Sequence, residues 1–575
     1  MNHGKEMAKC RKGEVFVETL NAHGVDKIFI NPGFETIEFM SEVAATRAAG
    51  GKSPQMVLCL DESVAAAAAY GNFMVTGNIQ VIMVHSEIGS LQLGGNLQNL
   101  QWGRVPAVIL AADQEIDTGR TLWNGQPFDQ ASIVRNSVKY DRRVTDPDTD
   151  LHEVLTEAFR IANTTPKGPV YVSFPLWYLG GEQEQPESYE VAATEKLPPV
   201  DMVALEQMAD ILLQAQYPML VSGNAGRFTE NVAALVELAE TLAMPTLTGY
   251  SWMNFPTNHP LCLGIEQIGG GRKTDAGYDI ADVIIAIDYD EPYVNNAPPP
   301  KADAKILHID YDQLTQGRKL YRCGADLFLK ADARAVIPAL TKLLKVKITA
   351  EKQAEIDARF KKVAEFNDNA RQDWFVAAIE QSGDTPISPD YLCHCINQLI
   401  DADTIVINHT LSHCASVTEQ IVREKPGTWF GCPSGAIGWA PGAALGAASA
   451  ATEKPVVAVM TDGGFVWGCP TSTLWTAANY KFPFLAVICN NRGYGAVRDV
   501  QIDTMNAAFP APDNAFWSED VVDFAPNYAA ISEGAGAFGR TVKNPAELLP
   551  ALKAALDAVK NGKPAVLDVY LPRTR

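Results

Sequence analysis

TDGGFVWGCP, residues 461–470, follows one apolar run, and VICNNRGYG, residues 487–495, closes a second. Asp462 and Asn491 both stand where strand-like text stops, and in open parallel sheets ligands sit beyond the carboxyl ends of the strands. Between them lie one helical stretch, TSTLWTAANY, and one strand stretch, FPFLAVIC, the crossover needed to bring neighbouring parallel strand ends together. Magnesium takes near-octahedral oxygen ligands and usually keeps phosphate oxygens and water among them. Asp462, the Asn491 side chain and the carbonyl of Gly493 offer three such oxygens. Gly463 and Gly464 let backbone approach an anion, which a following helix N-terminus also favours. Taken singly, each stretch is ordinary turn chemistry; taken together they point to a cation and a diphosphate.

With 575 residues, 47% of them hydrophobic, the chain exceeds what one core absorbs, and several domains are expected. A formal net charge of -21 argues against a nucleic acid or an anionic membrane as partner, since both reward Lys and Arg clusters. The opening MNHGKEMAKCRKGEVF has no apolar core of a signal peptide, and no run of about 18 apolar residues reads as a membrane span; a cytoplasmic protein is the expectation. The ten cysteines are scattered, with only Cys393 and Cys395 close, and read as reduced and mostly buried.

Strand text at KIFINPG, MVLCLDE, IQVIMVHS, VPAVILAAD and GPVYVSFP alternates with helical text at EVFVETLNAHGV and ESVAAAAAYGNFMVTG. The polar GGEQEQPESYEVAATEKLPP reads as a linker. A second block carries strands in PMLVSGNAG, MPTLTGY, ADVIIAIDYDEP and AKILHIDYD. A charged connecting helix is expected over 350–382, and a third block has strands in TIVINHT, KPVVAVMTDGG, PFLAVICNN and AVLDVYLP. The expected fold is α/β: three consecutive doubly wound parallel-sheet domains at 1–185, 198–345 and 383–575.

The paired motif resembles that of thiamine diphosphate-dependent enzymes, Gly-Asp-Gly followed after a helix and a strand by Asn-Asn, with Thr461 here replacing the leading glycine. STLWTAANY and NNRGYGAVR are especially similar to the benzoylformate decarboxylases, and the chain as a whole is similar to the acetolactate synthase-like large subunits. The resemblance implies pyrimidine-binding, central and diphosphate-binding domains of the thiamine diphosphate-dependent decarboxylase type, with thiamine diphosphate and Mg2+ as cofactors. It implies that Glu62, in CLDESVAAAAAYG, faces the aminopyrimidine nitrogen and exchanges a proton there; read alone, Glu62 is a helix-start carboxylate. In PSGAIGWAPGAALGAA it makes Ile437 an apolar wedge under the cofactor and the Gly435 carbonyl a partner of the pyrimidine amine, and the same stretch also reads as a Gly/Ala helix built for close packing. His409, Thr410 and Ser412 in TIVINHTLSHCASV, and Tyr494, are implied cofactor contacts. His409 and His413 also have i, i+4 spacing like a metal pair, without an evident third ligand. In the family the two ends of the site come from different subunits, so a homodimer or homotetramer is implied.

His85 in VIMVHSEIGSLQLGGN stands where benzoylformate decarboxylases carry a proton-handling pocket histidine, although a lone strand-end histidine is commonly structural. Glu87, two residues on, is expected to favour its imidazolium form. Phe34, in NPGFET, replaces a small hydroxyl residue and is expected to reshape the pocket; IDYDEPYVNN has no counterpart of the family's second pocket histidine. Trp517, within 503–523, is expected in a cover over the substrate or an ordinary surface loop. SGNAG in the central block is too weak a signal for a nucleotide, and an essential FAD is not expected.

The implied activity is decarboxylation of a 2-oxo acid, followed by protonation or carboligation. Alternatives are a lyase or hydrolase splitting an acyloin, a 1,2-diketone or a 2-hydroxyacyl-CoA, the last calling for a basic patch that the text lacks, and a non-catalytic subunit. The joint presence of Glu62, Asp462 and Asn491 argues against the last.

Overall fold

A computed structural model of the chain describes residues 8–113, 129–189, 191, 199–265, 277, 279–289, 300–311, 324–451, 453–505 and 525–573. Three six-stranded sheets, each wholly parallel, follow one another along the chain. Their inner strands are continuous apolar runs such as Val81–Val84 and Val456–Met460, buried at every residue, because helices on both faces leave no side for polar alternation.

The first sheet runs Gln55–Leu58, Lys27–Ile30, Gln80–Val84, Ala107–Asp113, Val170–Pro175, Tyr140–Arg143. The third runs Trp429–Gly431, Ile405–His409, Val456–Thr461, Leu485–Asn490, Ala565–Tyr570, Phe538–Val542. Counted within its own sheet, each has the order 2-1-3-4-6-5. Strand order therefore reverses at Lys27–Ile30/Gln80–Val84 in one and at Ile405–His409/Val456–Thr461 in the other, and each reversal opens a crevice at the carboxyl ends. The central sheet differs, with Cys262–Ile265, Thr246–Thr248, Pro218–Ser222, Val283–Ile287, Lys305–Ile309 and Leu327–Leu329 in the order 3-2-1-4-5-6.

Five of these strands escape the sequence reading: Tyr140–Arg143, Cys262–Ile265, Leu327–Leu329, Trp429–Gly431 and Phe538–Val542. All five are edge strands, short and bordered on one side only, so they lack the long apolar run that announces an interior strand. The stretch expected to be pure linker is corrected in part. Glu182–Glu184 pairs antiparallel with Lys9–Arg11, Lys9 opposite Glu184 and Arg11 opposite Glu182, so opposite charges face across the ribbon. The connecting helix is observed at Ala350–Glu380. Among the described residues no helix is long and apolar enough to cross a membrane, and the described cysteines are all free thiols.

Compactness does not follow the order of the sheets. One unit comprises Met1–Glu195, Ala436–Thr452 and Trp467–Phe482; the other comprises Lys196–Gly435, Glu453–Val466 and Pro483–Arg575. The first unit thus recruits two helices from the third block, Trp439–Ala450 and Pro470–Tyr480. Trp439–Ala450 packs on Glu62–Thr76 at backbone distance: a Cβ at Gly71 would overlap the Ala443 carbonyl, one at Gly446 the Ala68 carbonyl, and one at Gly442 would stand 2.5 Å from the Ala67 Cβ. Tyr70 meets Trp439 edge to face at 5.2 Å, and Asn72 donates to Ser449 Oγ at 3.0 Å. The second recruited helix serves the sheet edge: Leu58 N–H donates to the Tyr480 hydroxyl at 2.9 Å, and Thr476 Oγ1 donates to the Leu58 carbonyl at 3.1 Å. Leu58 ends the strand that leads to Glu62.

In the other unit Tyr250 OH donates to the Asn408 carbonyl at 2.7 Å and Trp429 Nε1 to the Tyr250 carbonyl at 3.1 Å, so the central block is tied to the first and second strands of the third sheet.

Because the obstacle at Gly446 is backbone, which cannot swing aside, Gly446→Ala should lose about 2–3 kcal/mol of stability, whereas Gly383→Ala, where no atom lies within 4 Å, should change it by less than about 0.5 kcal/mol. Urea unfolding of the two variants decides this; equal stabilities would mean that the two helices are not held at backbone distance.

Candidate active site

The candidate residues fall into two groups, one at the carboxyl end of the first sheet and one at the carboxyl end of the third. In the first unit Glu62 opens the helix Glu62–Thr76. It is not the cap of that helix. Asp61 performs that task, accepting from Ser63 N at 2.8 Å and Val64 N at 3.4 Å, while Gln92 Nε2 holds its other oxygen at 2.8 Å. Glu62 is nevertheless buried, and its Oε1 lies 2.6 Å from where a Cβ on Gly89 would stand. Asn96 fixes the same turn by donating to Ser63 O at 3.1 Å and Ser63 Oγ at 2.8 Å. Along the helix that carries Asn96, Asn99 Nδ2 donates to the Ala436 carbonyl at 3.3 Å, which anchors the backbone just before the half-buried Ile437.

His85 follows the strand Gln80–Val84. The carboxylate expected beside it was that of Glu87; the one that meets it is Glu35, Oε2 to Nδ1 at 2.6 Å. No ion pair joins His85 to Glu87 among the described residues, because Glu87 starts the helix Glu87–Gln92 while Glu35 lies in the turn after the adjacent strand. Phe34 is 64% exposed and meets Trp177, 56% exposed, edge to face at 6.4 Å. Trp177 was not singled out in the sequence. Its backbone is left-handed, φ 65, a strained state for a bulky residue that tends to collect at functional sites.

In the second unit Asp462 is the first residue of a short helix, Asp462–Trp467, directly after the strand Val456–Thr461. The Asp-Gly-Gly stretch is therefore a helix start rather than an open turn. Gly464 N–H donates to Thr461 Oγ1 at 3.0 Å, a hydroxyl that the family's glycine at this position does not have. Asp462 accepts from Gly463 N at 2.8 Å and from Arg492 N at 2.9 Å. Burial nonetheless pushes its carboxyl up to about 6, with those backbone N–H groups acting against the rise. No Lys or Arg pairs with Asp462 among the described residues.

Next to Asp462 the loop after Leu485–Asn490 is held from both sides. Arg492 N also donates to Asn490 Oδ1 at 3.1 Å, and Asn490 Nδ2 donates to Asp568 Oδ1 at 2.7 Å. Arg492 adopts a left-handed backbone, φ 61, which costs on the order of 1–3 kcal/mol unless surroundings over-determine it. This brings Asn491 into a buried position where its Oδ1 has no hydrogen-bond partner. A desolvated carboxylate and an orphaned amide oxygen, on neighbouring strand ends, form a donor set suited to a hard cation. Gly463 faces Tyr494, whose ring lies 3.4 Å from a would-be Cβ there.

Across the same switch point lie His409 and Thr410. Burial lowers His409 and His413 to about 4, so both are neutral imidazoles, and Thr410 Oγ1 donates to Asn408 Oδ1 at 2.7 Å; Ser412 is half-buried. No group of three His, Cys, Asp or Glu side chains that could hold a metal occurs among the described residues, so the His409/His413 spacing gains no third ligand of those types. Gly435 is left-handed, φ 74. Trp517 lies outside the described residues. In the central domain the SGNAG glycines are explained by Asn254, which accepts from Gly226 N at 2.8 Å and donates to Gly223 O at 2.8 Å.

Comparison with known proteins matches three successive segments of the chain. The description "Thiamine pyrophosphate enzyme, N-terminal TPP binding domain" matches residues 11–133, the central domain of that enzyme class 205–340, and its C-terminal TPP binding domain 412–569. Sulfoacetaldehyde acetyltransferase of Castellaniella defragrans is 26% identical over 581 residues, covering 97% of this chain and 93% of the relative. An acetolactate synthase large subunit of Escherichia coli is 25% identical over 565 residues, covering 97% and 94%. Benzoylformate decarboxylase of Pseudomonas aeruginosa is 25% identical over 564 residues, covering 96% and 97%. In fold, the chain is similar to the thiamine diphosphate-dependent 4-hydroxybenzoylformate decarboxylase of Rhodococcus jostii, with a TM-score of 0.80 at 22% identity over 98% of this chain and 99% of that one. With all three domains matched in order along its length, the chain belongs to the thiamine pyrophosphate (thiamine diphosphate) enzyme family.

Proposed function

We propose that this family member uses thiamine diphosphate and Mg2+ to decarboxylate a 2-oxo acid, and completes the reaction by protonation or by transfer to a second carbonyl compound. The observation that carries the reading is the joint occurrence of a buried glutamate freed from capping, Glu62, and a buried acid–amide pair lacking a cationic partner, Asp462 and Asn491, each beyond the carboxyl end of a strand in one of two sheets of the same strand order. When bound, the cofactor supplies the electron sink for the carbanion left by loss of CO2. The chain's own part is to bind, orient and move protons.

In this reading Asp462, Asn491 and the Gly493 carbonyl hold the cation, with Gly463 and Gly464 allowing a diphosphate close to the backbone and Tyr494, His409, Thr410 and Ser412 around it. The Gly435 carbonyl and Ile437 orient the cofactor's rings. Glu62 carries a proton on its carboxyl oxygens in a site from which water is largely kept, and His85 carries one near the substrate. Phe34 and Trp177 form an aromatic rim suited to the substrate's side chain. The names of relatives at about 25% identity include a decarboxylase, a synthase and an acetyltransferase, so a second reading, non-decarboxylating cleavage of an acyloin, a 1,2-diketone or a 2-hydroxyacyl thioester, is retained. We also propose a homodimer or a dimer of dimers in which Glu62 of one subunit serves the diphosphate half of another, with FAD not required.

CO2 release over a panel of aliphatic and aromatic 2-oxo acids, with thiamine diphosphate and Mg2+, tests the first reading. Release is expected from at least one acid and should fall at least about a hundredfold in Glu62→Gln; no release with cofactor binding demonstrated would favour the second. Mixing inactive Glu62→Gln and Asp462→Ala proteins under subunit exchange should restore up to about a quarter of the activity if sites are shared between protomers, and none if each chain builds its own.

The Asp462 carboxyl, raised above its unfolded value, favours the neutral form in the folded protein, so metal-free stability is full at low pH and is lost as pH rises through about 6. Relative to Asp462→Asn, the metal-free wild type should lose on the order of 2–3 kcal/mol between about pH 4 and pH 7. Saturating Mg2+ with thiamine diphosphate should restore that difference. Parallel pH profiles of the two proteins in urea unfolding would refute it.

A further inference from the structure

Glu35 is an unusual place for a carboxylate. It sits in the turn Phe34–Thr36 after the strand Lys27–Ile30, its side chain is only 3% exposed, and among the described residues it meets no Lys or Arg. An unpaired buried carboxylate is costly. The basic group that answers it is His85, 26% exposed, at the end of the adjacent strand, with Nδ1 2.6 Å from Glu35 Oε2. The two atoms lie within reach of each other without the alignment of a full hydrogen bond, and neither has another partner.

The surroundings are built to permit this pair. A Cβ on Gly33 would stand 2.5 Å from His85 Cγ and 2.8 Å from Glu35 Oε2, so the glycine of the NPG turn makes the room that the imidazole and carboxylate share. On the other side, a Cβ on Gly89 would lie 3.2 Å from His85 Cβ and 2.6 Å from Glu62 Oε1. His85 is thus lodged between two glycines, with one carboxylate on its Nδ1 and another, that of Glu62, beyond Gly89. The frame is firm: Asn31 N–H donates to the Met83 carbonyl at 3.3 Å, tying the two strand ends, and Ser90 hydrogen-bonds to the buried Tyr171 hydroxyl at 2.8 Å, holding the helix that follows His85.

We propose that Glu35 is a positioning residue that keeps the proton of neutral His85 on Nδ1 and so leaves Nε2 as the nitrogen able to exchange a proton with a bound substrate. A free imidazole prefers the opposite tautomer, and which nitrogen carries the proton is set by the partner of the other. The inference rests on the reading that His85 handles protons in this site, but the tautomer does not depend on catalysis.

The test is nitrogen-15 NMR of the full-length, cofactor-free protein labelled at histidine, with His85 signals assigned by their loss in His85→Gln. The wild type is expected to show His85 protonated at Nδ1 in its neutral form, and Glu35→Gln to move the proton to Nε2 because the amide can donate to Nδ1. An Nε2-protonated His85 in the wild type overturns the proposal without recourse to any variant, as does an unchanged tautomer in a folded Glu35→Gln. With substrate, Glu35→Gln should lower kcat at least about tenfold while KM changes less than about twofold, and Glu35→Asp should recover part of kcat. Loss of kcat with the tautomer unchanged would assign Glu35 a structural role instead. If no 2-oxo acid is decarboxylated, the NMR result still stands or falls by itself.

Discussion

The first unit depends on how closely two helices approach. Glu62–Thr76 and Trp439–Ala450 meet where Gly71, Gly442 and Gly446 have no side chain to keep them apart, so carbonyl groups of one helix lie where a methyl of the other would be. Interiors packed at this density transmit displacement rather than absorb it. Glu62 opens one of these helices and Ile437 stands two residues before the other, so the same contact that buries the alanine faces also sets both residues in one rigid frame. A stripe of small residues, bland in composition, is what gives the acid a defined place.

Two buried carboxylates show opposite ways of handling charge. Glu35 has a basic side chain of the same chain beside it, His85, with Nδ1 2.6 Å from its Oε2. Asp462 receives only backbone N–H groups, its carboxyl is raised by desolvation, and the neighbouring Asn491 Oδ1 has no donor. Left alone, that arrangement costs stability. In the proposed reading a divalent cation would supply the missing charge and offset that cost, which is how folding energy becomes ligand affinity. The left-handed Arg492 belongs to the same account, since strain in the loop persists because Asp462 and Asn490 grip its N–H.

Interior strands were legible because continuous Val, Ile and Ala runs such as VVAVM and VILAA have no other way to be buried, and the crossover spacing followed from them. Five of the six edge strands of these sheets were not: Tyr140–Arg143 reads YDRR, and Trp429–Gly431 is three residues long, so pairing on one side decides them rather than pattern. Glu62, Asp462 and Asn491 could be singled out as a set because each stands at a strand end with a helix after it. Glu35 was not, since a glutamate in a turn looks solvated until the neighbouring strand places a histidine against it. For the same reason the carboxylate beside His85 was sought two residues away in sequence, at Glu87, when it lies across the sheet. Trp177 gave no signal beyond its position after a strand, and its strained backbone is visible only in three dimensions.

The first and third sheets share one strand order and open their crevices at the same reversal, yet they hold different chemistry. In the proposed reading the first sheet carries the groups that exchange protons and face the substrate's side chain, Glu62, His85 and Phe34; the third carries the groups suited to a cation and a diphosphate. This is a division of labour between two copies of one architecture. Loops on one copy are free to drift toward new substrates while the other keeps its grip on an unchanging coenzyme, so a fold of this kind diversifies by editing half of itself. Acetyltransferase, synthase and decarboxylase names among sequences aligned along nearly their whole length are what such a lineage would leave behind.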